Sequence, residues 1–291
     1  MSARPDWRTA LRADCERCFG LCCVAPAFAR SADFALDKPA GEPCPNLGRT
    51  SFRCRIHASL RKKGFTGCTV FDCFGAGQAV AQGTFGGKDW RRSPEVADSM
   101  FQVFGVMRQL HQLLWYLNEA LGFAKAKPLF PKLRAARKKT SLLAQGSAEE
   151  LLGLDVERQR AEVARLLRKA SESVRAGKKG RDLRGVELVA ADLRGEDLRG
   201  ASLGGACLLG ADLRKADLRG ADVIGADFRA ADLRGADLRA CLFLTQAQVD
   251  SAKVDEGTRL PRHFLARASA SRSLSRASLA AGTVGSSFKN D

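Results

Sequence analysis

The chain has 291 residues, 45% of them apolar, with a formal net charge of +16 and a pI near 9.8. That apolar fraction excludes wholesale disorder, and no window approaches the ~20 apolar residues a membrane-spanning helix needs. At roughly 100–200 residues per domain, the length predicts two domains or three.

The opening stretch from Met1 to Trp7 lacks the apolar run of a secretory signal. This predicts a cytoplasmic, bacterial-type soluble chain, with no membrane partner and with reduced thiols. Eight of the ten cysteines then fall close together: Cys15, Cys18, Cys22, Cys23, Cys44, Cys54, Cys68 and Cys73. Pro26, Pro39, Pro43, Pro45 and several glycines interrupt the same stretch. The pattern predicts a small loop-rich module over 1–92, held by something other than a large core. Thiolates are soft, charged donors, and two of them separated by two residues can approach one ion from a single turn. Eight would complete two four-cysteine zinc sites, or one four-cysteine cluster with spare thiols. His57, three residues beyond Cys54, could replace a thiolate.

These residues resemble the CxxCxxCC zinc- or iron-chelating family. The resemblance rests on Cys15-Glu-Arg-Cys18-Phe-Gly-Leu-Cys22-Cys23, Cys44-Pro-Asn-Leu47, Cys54-Arg-Ile-His57 and Gly67-Cys68 to Cys73. It implies a zinc or iron–sulfur cofactor held by the eight cysteines. The family usually has two residues before the paired cysteines and often Tyr where His57 stands; here three residues, Phe19-Gly20-Leu21, intervene.

A helical segment is predicted over 93–180. Ser93-Pro94 gives an N-cap with proline at the first helical position, and Gly122 marks the end. Between them Val96, Met100, Val103, Met107, Leu110, Leu114, Leu117 and Leu121 recur at alternating spacings of four and three. This is the seam of a packed helix, for a hairpin partner or for a second copy in a homo-oligomer. His111 and Trp115 on it are expected to pack. Lys125 to Lys139 carries seven cations and no acid, and Pro128 and Pro131 predict a basic connector. Ser147…Glu150 reads as a capping box, and Asp155 as the cap of a helix bearing Val156, Val163, Leu167, Ala170 and Val174 on one face. Gly177-Lys-Lys-Gly180 reads as a flexible joint.

From Arg181 a five-residue period takes over. Its central residues are Leu183, Leu188, Leu193, Leu198, Leu203, Leu208, Leu213, Leu218, Val223, Phe228, Leu233, Leu238 and Phe243, with Ala two places before each from Ala201 to Ala236. Neither a helix nor a strand has a period of five. The stretch resembles the pentapeptide-repeat family. The resemblance implies a right-handed quadrilateral β-helix, one unit per face and four per coil, thus just over three coils. The β-helix with its C-terminal cap is placed at 181–262, and Thr245 to Asp250 are expected to begin that cap. Cys207 and Cys241 sit in repeat positions and are expected to pack. Residues 263–291, Ala/Ser/Arg-rich, read as a disordered tail, and His263 as a surface histidine.

Gly75-Ala-Gly77 lacks the third glycine of a dinucleotide fingerprint and reads as a tight turn. No nucleophile elbow, P-loop or metalloprotease motif appears, and no catalytic residue is assigned. The repeats hold ten cations against eleven acids, a net −1, so the remaining residues carry +17. Some members of the resembled family imitate DNA with an acidic rod, and this balance does not suit that role. The reading is a non-catalytic interaction protein with a structural or sensing metal site, docking a protein partner through the β-helix. The alternatives are a metal- or iron–sulfur-dependent modifying enzyme, or a nucleic-acid binder using the basic helices.

Overall fold

The computed structural model describes residues 7–177, 180–261 and 264. The N-terminal six residues, the two lysines of the joint, His263 and the remainder of the expected tail lie outside them. The chain divides into two compact units, Met1–Gly177 with Ala247–Ser251, and Lys178–Gln246 with Ala252–Asp291.

The first unit is organised by the predicted long helix, Ala97–Ala120, led in by a 3-10 turn over Pro94–Val96. Proline at the start costs nothing because the first helical N–H groups have no partner inside the helix. Ser93 makes no side-chain cap bond, so its expected capping role is not realised. Met100, Val103, Met107, Leu110 and Leu117 are buried as the spacing requires. They pack with Leu21 and Val24 of the short helix Leu21–Val24, with Ala76 and Val80, and with Leu151. The cysteine-bearing stretch therefore shares its apolar core with the long helix. That sharing resolves how so short a loop-rich segment folds without a core of its own.

The seam is occupied by the chain's own helices: Phe130–Leu143, Ala148–Leu152 and Val156–Arg175 all pack on Ala97–Ala120. Here the basic stretch departs from expectation. It forms a 3-10 helix over Ala124–Leu129 and then a helix from Phe130, not an irregular connector. Pro131 falls in the first turn, where its missing N–H and fixed φ suit a helix start. The capping box is present in both directions, Glu150 N–H to Ser147 Oγ at 3.2 Å and Ser147 N–H to Glu150 Oε2 at 2.7 Å. Asp155 Oδ1 accepts the Arg158 N–H at 2.9 Å. Gln159 Nε2 donates to Thr140 Oγ1 at 2.9 Å inside the core, fixing the register of these two Lys/Arg-rich helices.

The second unit is a β-helix. Parallel bridges join residues twenty apart, Asp182 to Ser202 to Asp222 to Leu242 on one face, and Asp192 to Asp212 to Asp232 on another. A twenty-residue step made of four five-residue units gives a four-sided coil. Each face is so short that it forms single bridges, with backbone bonds such as Leu213 N–H to Asp232 O at 2.9 Å. Leu203, Leu208, Leu213, Leu218, Leu233 and Leu238 are fully buried inside, and the alanines two places earlier are buried beside them. The twelve corners from 185 to 240 all have positive φ; eight are Gly, three Ala and one is Lys215. Where the sequence period stops, the coil does not. After the helix Gln246–Ser251 the chain rejoins the sheet, Lys253 bridging Asp232 and Arg259 bridging Asp237. Cys241 is buried and its thiol donates to the Leu218 carbonyl at 3.0 Å, a packing role.

Outside, aspartates and arginines two residues apart form ladders. Arg194, Arg199, Arg214, Arg219, Arg234 and Arg239 each grip their own aspartate at 2.5–2.6 Å. These guanidiniums hold Asp192, Asp197 and Asp232 down at about 2. A depressed carboxylate pKa adds stability above the unfolded value near 3.9, lost as pH falls through the folded value. The β-helix is expected to lose this contribution between about pH 4 and pH 2. Thermal melts across that window check it; a midpoint unmoved there would show the ladder to be energetically idle, as many exposed pairs are.

Candidate metal centre

The eight clustered cysteines come from four loops and two short helical turns. Leu21–Val24 carries Cys22 and Cys23, and Thr66–Thr69 carries Cys68. Side-chain bonds brace the Cys15–Cys18 loop. Gln78 Nε2 donates to Arg12 O at 2.7 Å, Gln78 Oε1 accepts the Asp14 N–H at 3.1 Å, and Gln82 Nε2 donates to Arg17 O at 2.8 Å. Trp90 Nε1 donates to Phe19 O at 2.9 Å, and Arg53 pairs with Glu16. Gly77 lies against Cys18: a Cβ there would stand 2.8 Å from the Cys18 Cβ, so only glycine lets the two segments meet. Gly75, with φ 76, makes the tight turn expected beside Cys73.

Seven of the thiols, all but Cys44, line one cavity of about 1390 Å³ together with His57. Their electrostatic neighbours sort them into two sets. Cys18 is pushed up by its hydrogen bond with Cys15, then by burial, and also feels Cys73; the same bond holds Cys15 down. Cys22 is pushed up first by its bond with Cys23, then by burial, and also feels Cys18 and Cys73; Cys73, raised mainly by burial, feels Cys15. The first set is Cys15, Cys18, Cys22 and Cys73. Cys23 is lowered by its bond with Cys22 and also by Lys38 and Cys54, against burial and the first-set Cys15, which raise it. Cys54, raised by burial, feels Cys23 and Cys44, and Cys68, pushed up to about 12 by burial, feels Cys23, Cys44 and Cys54. The second set is Cys23, Cys44, Cys54 and Cys68. The sets abut at the sequence neighbours Cys22 and Cys23, whose sulfurs are 4.0 Å apart.

Four thiols per set is the donor chemistry that zinc or an iron–sulfur cluster takes. Among the described residues, however, no three His, Cys, Asp or Glu side chains stand in closed coordination geometry. His57 is exposed and lines the cavity without joining either set. His111 is not a ligand: it is buried on the long helix with Nδ1 2.8 Å from Phe74 O, and burial lowers its pKa. Trp115 packs edge-on against Trp7.

Lys38 is the participant that sequence reasoning missed. It is 4% exposed, and its ammonium donates to the carbonyls of Val24, Pro39 and Glu42 at 3.1, 2.8 and 2.8 Å. Burial pulls its pKa down, while Cys44 and Cys23 push it back. A buried cation with all three protons satisfied near Cys23 and Cys44 offsets negative charge that those thiols gain on ionising. Lys38→Met is expected to weaken metal binding about 10–100-fold, the range of outer-shell partners. Competition against a chromophoric chelator checks this, and an unchanged affinity would reduce Lys38 to a backbone tie.

The twenty-residue coil and its thirteen units define the protein class: the chain belongs to the pentapeptide-repeat family. The profile described as pentapeptide repeats matches eight copies over residues 182–220 and 206–243. A full-length relative is protein YybG of Bacillus subtilis (strain 168), 59% identical over 256 residues, spanning 86% of this chain and 91% of YybG. Two solved Nostoc PCC 7120 structures share sequence with part of it. The pentapeptide repeat protein alr5209 is 39% identical over 28% of this chain and 76% of its own, with a TM-score of 0.22. HetL, described as involved in heterocyst differentiation regulation, is 33% identical over 27% of this chain and 44% of its own, with a TM-score of 0.14. No helix among the described residues is long and apolar enough to cross a membrane.

Proposed function

We propose that this chain is a non-catalytic interaction protein in which a structural or sensing metal centre, zinc or iron–sulfur, holds the cysteine-rich segment while the β-helix docks a protein partner. The observation that carries the reading is the gathering of seven of the eight thiols around one cavity, with the Cys22 and Cys23 sulfurs 4.0 Å apart and Lys38 buried beside Cys23 and Cys44. A metal there would be held by Cys15, Cys18, Cys22 and Cys73, and by Cys23, Cys44, Cys54 and Cys68. It would supply cross-links between loops that are otherwise anchored through the core they share with the long helix.

Anaerobic purification of the full chain, followed by elemental analysis and an absorption spectrum, tests this. Zinc in a colourless protein supports a structural centre, and visible thiolate-to-iron absorption supports a cluster. A metal-free chain that stays folded in strong chelator overturns the reading. One observation favours a metal-dependent modifying enzyme instead. The cavity, at about 1390 Å³, is larger than metal ions need and is of the size that takes an organic ligand. Nucleic-acid binding draws support from the exposed Lys132, Arg134, Lys138 and Lys139 of the basic helix, and a salt-titrated DNA-binding assay tests it.

A further inference from the structure

The charge pairing of the β-helix breaks at its last rung. In earlier coils Arg194, Arg199, Arg214 and Arg219 each grip their own aspartate and lean on the aspartate one coil further on. Arg199 reaches Asp197 at 2.6 Å and Asp217 at 3.8 Å; Arg219 reaches Asp217 at 2.5 Å and Asp237 at 3.9 Å. Arg239 grips Asp237 at 2.6 Å, but the position one coil on, in register with Asp237, is Arg259. A cation stands where the ladder calls for an acceptor, and Arg259 turns to Asp237 at 3.8 Å.

Two further observations meet at the same place. A hollow of about 510 Å³ is lined by Lys215, Arg219, Arg239 and Arg259 together with Asp217 and Asp237, four cations against two acids. Lys215 is the one side chain longer than a methyl group among the twelve left-handed corners, at φ 60 where Gly or Ala stands elsewhere. A residue with a Cβ is strained there, so a long cation at that corner is an unexpected choice for the fold alone. The neighbouring corner is Gly235, and a Cβ on it would stand 3.3 Å from the Lys215 Cγ, so glycine there leaves the lysine stem its room. Among the described residues no carboxylate lies within ion-pair reach of Lys215.

We propose that this hollow binds a phosphate-type dianion, which takes the acceptor place left vacant on the last rung. A carboxylate would leave one of the two excess positive charges uncompensated, whereas a phosphate dianion neutralises both. Its oxygens also match the guanidinium fork of Arg259, while Arg239, whose Nε and Nη2 already hold Asp237, and Lys215 act as point charges. The site stands independently of the metal centre.

Calorimetric titration of the full chain with inorganic phosphate at low ionic strength tests it, since exposed charges are screened by salt. Saturable binding is expected. Arg259→Asp, which completes the aspartate ladder, is expected to weaken it at least about tenfold while leaving the fold intact or raising its melting temperature. Lys215→Gly, which restores the corner residue used elsewhere, is expected to weaken it about threefold and carries the test should Arg259→Asp misfold. Arg194→Gln, on the separate ladder of Asp192, Asp212 and Asp232, is expected to change nothing. Absence of saturable binding, or an equal loss in Arg194→Gln and Arg259→Asp, overturns the proposal. Tighter binding of a phosphoserine peptide than of free phosphate assigns the phosphoryl group to a protein partner, and equal binding assigns it to the free ion.

Discussion

Serine in place of Cys68 is expected to release one bound metal equivalent, serine in place of Cys73 the other, and the double substitution both. The expectation follows from the two sets of thiols: Cys68 sits among Cys23, Cys44 and Cys54, and Cys73 faces Cys15 and is felt by Cys18 and Cys22. Losing one of four thiolates removes a direct ligand, so each affected ion should bind more weakly by more than the 10–100-fold that outer-shell partners carry. The consequence is structural as well. Leu21 and Val24 flank Cys22 and Cys23 and insert into the core around Met100 and Met107. Loosening the loops therefore loosens that core, and chelation of the native chain should lower the melting temperature of the first unit. Metal content per chain, measured for both single variants, decides the matter. A single four-thiol centre would leave one of the two variants fully loaded, and that outcome would sink the two-set arrangement.

How much of this could be read from the residues differs sharply between the units. The β-helix was legible because its period of five matches no other regular structure, and because each inward Leu is flanked by an Ala that fits a corner. What the period could not foretell is that Lys253 and Arg259 rejoin the sheet. The helix Gln246–Ser251 inserts residues between rungs, and an insertion erases a sequence period without erasing a hydrogen-bond register. In the first unit the long helix and the capping box followed from local pattern. Phe130–Leu143 did not, because Pro131 reads as a breaker unless its place in the first turn is known. The cysteine spacing marked out eight candidate donors but not which of them stand together. Cys22 and Cys23, adjacent in the chain, act most strongly on each other, yet Cys22 also feels Cys73 and Cys23 also feels Cys54, far along the sequence. Lys38 gave no signal at all, since nothing in composition distinguishes a buried lysine from an exposed one.

The largest loss of stability in the second unit is expected from Phe228→Ala. Phe228 is 1% exposed at a central position where most coils carry Leu, with Leu208 one coil before it. Truncation removes a ring from a closed interior, and the rigid four-sided coil cannot collapse around the gap, so about 3–5 kcal/mol should be lost. Leu183→Ala is the informative contrast. Leu183 holds the same repeat position in the first coil but is only half-buried, so its loss should cost far less. A stacked repeat contacts only its neighbours, so the damage at Phe228 should split the coils on either side of it, while damage at Leu183 should merely fray one end. Denaturant titration followed by circular dichroism separates the two. A comparable loss for both would mean that the coils share their interior unevenly with burial, and that central position in the repeat, not depth in the stack, sets stability. Because the thiol centre belongs to the other compact unit, metal content should be unchanged in Phe228→Ala, which makes the two units' stabilities separable in a single chain.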